Sequence, residues 1–163
     1  MKTPARVIAF GGMMAALAVV IMSLGGMIPI ATFVCPMLCM MILAFVVKMC
    51  GSRICWAWYG AVSILGLLLG PDKEAAAIFL FLGFYPIVKP KLDGIKFGIV
   101  LKLLLFNAAI LLMYGFLIHL FGMAQIAAEY QELGTIMTAV MLIMGNVIFF
   151  LLDKVLTRFS KIK

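Results

Sequence analysis

The chain has 163 residues, 67% of them hydrophobic and 12% charged, with a net charge of +7. A soluble domain carries about 45–50% apolar and about 25% charged residues, so this composition excludes a water-soluble class. Its thirteen basic residues are sparse and lie between apolar runs, so where they lie matters more than their sum, and nucleic acid is not the expected partner.

A bilayer core requires roughly 20 apolar residues in helical form. On that measure the hydropathy pattern predicts an all-α integral membrane protein, a single domain over 1–163 with six transmembrane helices. The first span runs over about 7–28. "MKTPAR" and "AALA" imitate the charged region and cleavage site of a signal peptide, but the apolar run continues to Ile28, so a retained span is expected. The second covers about 30–47 and the third about 54–69. The fourth, 75–88, is the weakest: it is short and contains Gly83 and Pro86, which leaves a re-entrant segment as an alternative. The fifth runs over about 97–121 and the sixth over 135–156.

The basic residues decide the topology. With six crossings and both termini cytoplasmic, Lys2, Arg6, Lys48, Arg53, Lys89, Lys91, Lys96, Lys102, Lys154, Arg158, Lys161 and Lys163 fall on or near the inner side, and only Lys73 falls outside. Cytoplasmic loops carry such an excess of Lys and Arg. Asp72, Glu74, Glu129 and Glu132 fall in the outer connections, in agreement. The connections are short. "GMAQIAAEYQELG" is the longest outer one and has room for a surface helix. No GxxxxGK[ST] occurs, so the chain carries no P-loop of its own.

The first helix has an unusual face. At 100° per residue, Ala5, Ala9, Gly12 and Ala16 stack within a narrow arc, with Gly11, Ala15 and Ala18 beside them. Lipid tails are as apolar as leucine, so helices in a bilayer associate through close backbone approach, which small-xxx-small spacing permits. Gly11-x3-Ala15 and Gly12-x3-Ala16 both have it. Such a face packs on another helix of the same protein or on a separate membrane subunit, and the motif does not choose.

With "AFGGMMAALA" at this place, in a small chain of six spans, the sequence resembles the substrate-binding S component of an energy-coupling factor (ECF) transporter. That resemblance implies a bacterial plasma-membrane protein that captures a vitamin or similar micronutrient from outside. It also implies partners: a membrane coupling subunit, met through Ala5, Ala9, Gly11, Gly12, Ala15 and Ala16, and two ATPase subunits.

Polar groups inside a bilayer are costly and mark candidate sites. Asn107 and Asn146 lie mid-span, each able to read a polar ligand or to bond a neighbouring helix. Tyr114 and His119 lie further along the fifth span, and Glu74 lies in the "GPDKE" connection, which either lids a pocket or forms a plain turn. These five are the candidate substrate-binding residues. Trp56, Trp58, Tyr59, Tyr85 and Lys89 read as interfacial anchors. Cys35, Cys39, Cys50 and Cys55 form no CxxC, and the single His119 has no cluster beside it, so no metal or cofactor is expected.

Two function classes compete. One is the substrate-capture subunit. The other is a non-catalytic scaffold similar to the MreD proteins of cell-shape machinery. An enzyme is not expected, because no nucleophile, acid or metal-ligand cluster falls within the spans.

Overall fold

The computed structural model describes residues 4–25, 31–95, 97–120, 139 and 142–158. These residues are helical apart from short turns. α1 is Pro4–Leu24, α2 Ala31–Cys50, α3 Ser52–Leu69, α4 Lys73–Leu82, α5 Tyr85–Leu92 and α6 Gly98–Leu120. Residues 142–158 are also helical, and this stretch is labelled α7. The chain divides into two compact units, Met1–Ile95 and Lys96–Lys163. The connection 122–134, with room for a surface helix and with Glu129 and Glu132 in it, lies outside the described residues.

Four stretches are long and apolar enough to cross a membrane: Ala5–Leu24, Ala31–Cys50, Lys73–Leu92 and Gly98–Leu117. Arg53–Leu69 is a shorter apolar helix. The weakest expected span is therefore longer than its hydropathy suggests, since α4 and α5 together reach 20 residues. They are interrupted at Gly83–Phe84. Pro86 causes part of this: it has no N–H to return to the Leu82 carbonyl in the preceding turn.

Low hydropathy in α4–α5 has a structural reason. Ala75, Ala76, Ala77, Ile78 and Phe79 are all buried, and five consecutive helical residues cover the whole circumference. Such a helix meets protein rather than lipid and needs no continuous apolar coat. Within the first unit, α2 and α3 pack on each other, on α1 and on α4–α5. Glycines provide the closest approaches. A Cβ placed on Gly25 would stand 3.7 Å from the Cβ of Ala75, and one on Gly66 would stand 4.0 Å from Ala76 and 3.4 Å from the end of Met22. A methyl group there would make ordinary van der Waals contact.

The "GPDKE" connection satisfies two helix ends at once. The Asp72 carboxylate accepts from the amides of Glu74 (3.0 Å) and Ala75 (3.1 Å), capping α4, and its other oxygen accepts from the Thr32 hydroxyl at 2.7 Å. Lys73 donates back to the carbonyls of Leu67 (2.7 Å) and Gly70 (3.0 Å), the last turn of α3. An acid at a helix start and a base at a helix end each also meet the favourable pole of the helix dipole.

Two consequences are measurable as thermal midpoints in detergent. Asp72→Ala removes the cap and the tie to α2 and should cost about 1–2 kcal/mol. Gly66→Ala should be close to neutral, whereas Gly66→Ile should cost about 1–3 kcal/mol by overpacking against Met22 and Ala76.

Candidate functional site

The small-residue face of α1 separates into two parts. Gly11, Ala18, Met22 and Gly25 are buried and form the seam that α1 presents to its own unit. The Gly11 carbonyl accepts from the Trp58 indole at 3.0 Å, and the Ala18 carbonyl from the Cys39 thiol at 3.4 Å. Ala5, Ala9, Gly12 and Ala16 are exposed, and Ala15 is half-buried. A Cβ on either Gly11 or Gly12 would meet no atom within 4 Å, so burial and the Trp58 bond, not space, distinguish the two. Exposed Ile8, Met13, Leu17 and Val20 flank this strip. Of the six residues expected at a partner interface, four are open, Ala15 is intermediate and Gly11 belongs to the interior seam.

Three expected interfacial aromatics turn inward instead. Trp58 is buried against α1 and Tyr59 is half-buried, its phenol donating to the Leu80 carbonyl just before the break in α4–α5. Tyr59 also lies 5.9 Å from Phe79 and 6.3 Å from Phe84, ring centre to ring centre, so three rings gather around the break. Trp56 alone of the trio is exposed. Tyr85 is fully buried rather than interfacial, and Lys89 is buried beside it, its ammonium 3.2 Å from Asp93 and 6.0 Å from the Tyr85 ring centre. Both tyrosines and Trp58 carry one polar atom on a large apolar body, so the sequence pattern of an anchor and of a buried helix tie are the same.

The candidate binding residues fall in different units. Glu74 is in the first, half-buried in the opening turn of α4, its amide held by Asp72. Asn107, Tyr114, His119 and Asn146 are in the second. The Asn107 amide donates to the Asn146 side chain at 3.1 Å and to the Leu103 carbonyl at 2.8 Å. Asn146 reciprocates, donating to Asn107 at 3.2 Å and to the Leu142 carbonyl at 2.8 Å. All four amide hydrogens are engaged. Tyr114 lies two turns beyond Asn107 on the same face of α6 and is half-buried, whereas His119 is exposed.

The asparagine pair belongs to a ladder along α6 and α7. Phe106 and Phe149 stack with centres 4.5 Å apart and planes 21° from parallel. One step further, the Lys102 ammonium stands 3.2 and 3.3 Å from the Asp153 carboxylate oxygens. Lys102 is 7% exposed, which makes this ion pair an interior one. Polar, aromatic and charged partners thus fix the register of the two helices.

A double-mutant cycle on Asn107→Ala and Asn146→Ala should return a coupling of about 0.6–1.7 kcal/mol, read from unfolding midpoints. A coupling near zero would mean that the amides do not hold each other in the folded protein.

Compared with protein-family models, curated proteins and solved structures, the chain matches none of them.

Proposed function

We propose that this protein is the substrate-capture subunit of an ATP-driven importer for a small micronutrient, spanning the bacterial plasma membrane six times with both termini inside. Its outer side takes up the small molecule. The strip Ala5–Ala9–Gly12–Ala16 docks on a membrane coupling subunit that serves two ATPases.

One observation carries this reading. The protein uses small residues for its own close packing elsewhere, at Gly25 and Gly66 against Ala75 and Ala76, and α1 faces its own unit through Gly11 and Ala18. The remaining strip of Ala5, Ala9, Gly12 and Ala16 is exposed. Lipid gives no reason to prefer alanine and glycine over leucine, while a second helix does. In this reading the asparagine pair and the Lys102–Asp153 pair are framework, holding α6 and α7 in place.

The test combines capture and docking. Mass spectrometry of small molecules released from the gently purified protein should find one polar compound in near-stoichiometric amount; lipid alone would remove the capture half of the proposal. Gly12→Leu should leave the thermal midpoint within about 0.5 kcal/mol of the parent, as for an exposed position, yet abolish co-purification of the coupling subunit. A photoreactive phenylalanine at position 12 should crosslink to a membrane protein that co-purifies with ATPases. Crosslinks to a partner without them would favour the scaffold class.

A further inference from the structure

One end of the first unit collects positive charge. α1 begins there with Arg6, α2 ends there with Lys48, and α3 begins there with Arg53; all three side chains are exposed. The Cys50 thiol donates to the Val7 carbonyl at 3.7 Å and pins the end of α2 to the start of α1. Only Gly51 separates α2 from α3, with a positive φ of 83° that allows the immediate reversal.

Between these helix ends lies a groove of about 270 Å³, lined by Val7, Phe10, Met49, Cys50 and Arg6. Its walls are aliphatic, aromatic and sulfur-bearing. Phe10 is braced from behind by Phe45, ring centre to ring centre 5.8 Å. Among the described residues Arg6 is the one charged residue bordering the groove, its side chain exposed, and no acidic side chain forms an ion pair with it. A polar metabolite would find almost no hydrogen-bonding partner in such walls. A long apolar chain that ends in an anion matches both parts of it.

We propose that this groove seats one anionic phospholipid, with acyl methylenes along Val7, Phe10 and Met49 and the phosphate at the Arg6 guanidinium. Arginine presents a planar fork that matches phosphate oxygens in pairs. Lys48 and Arg53 raise the local positive potential, which favours a net-negative headgroup over a zwitterionic one whose ammonium would face three cations. The inference rests on the chain lying in a membrane but not on its being an importer.

The test uses the full chain purified in detergent. Native mass spectrometry and thermal midpoints are read with added phosphatidylglycerol, phosphatidylcholine or inorganic phosphate. Phosphatidylglycerol should be retained selectively. Arg6→Gln should lower that retention about fivefold, the effect of one basic residue at an anionic surface. Val7→Trp, which fills the groove and keeps the charge, should lower it as well, and Arg6→Lys should keep part of it. Arg158→Gln, an exposed base in the other unit, should change nothing. Equal retention of phosphatidylcholine, equal losses for Arg6→Gln and Arg158→Gln, or full reproduction of the thermal shift by inorganic phosphate would each overturn the proposal. If Arg6→Gln does not fold, Val7→Trp and Arg6→Lys decide it. Release of the chain from membranes by alkaline carbonate would instead remove the membrane reading on which both proposals stand.

Discussion

The amino-terminal unit depends on how closely backbones approach the head of α4. Ala75, Ala76 and Ala77 leave that helix almost without side-chain bulk, and Gly25 and Gly66 meet it with none. In a bilayer, where hydrophobicity does not distinguish a neighbouring helix from lipid, dispersion contact of this kind is the main source of association. The rest of the unit is arranged to permit it. Asp72 starts α4 at the right place and ties it to Thr32 of α2, and Lys73 closes α3 in the adjacent position. Both residues satisfy backbone groups that would otherwise lie at the edge of an apolar medium without partners.

The carboxyl-terminal unit follows a different rule. α6 and α7 are held by paired side chains at three levels, charged, aromatic and amide, rather than by small residues. Gly145 is the exception, close to the Phe106 ring, at 3.7 Å from a notional Cβ. The Asn107 and Asn146 amides and the Lys102 and Asp153 charges each have a counterpart on the facing helix, so these polar groups become determinants of register.

Several of these features are legible in the sequence. Helices over about 7–28, 30–47, 54–69 and 97–121 are visible because long apolar runs between Gly, Pro and charged residues have few other uses, and α1, α2, α3 and α6 stand there. The α4–α5 stretch is less visible. Hydropathy measures preference for lipid, and a helix surrounded by protein does not need it. The same blindness affects the sites. Asn107 and Asn146 stand out as polar residues mid-span, but their thirty-nine-residue separation conceals that each is the other's partner. Trp58 and Tyr59 look like anchors because the deciding fact, which carbonyl lies opposite the polar atom, belongs to another helix. The small residues of α1 were readable as a packing face; that Gly11 turns inward while Gly12 turns outward is a matter of one 100° step.

The Lys102–Asp153 pair bears on how the chain enters the bilayer. Lys102 sits about 6 Å inside the start of α6, where an uncompensated ammonium is costly, and its counter-charge is made some fifty residues later on α7. In the membrane reading proposed above, α6 alone would carry an uncompensated cation near its inner end until α7 stands beside it. In that reading the two helices would enter the bilayer as a hairpin rather than one after the other.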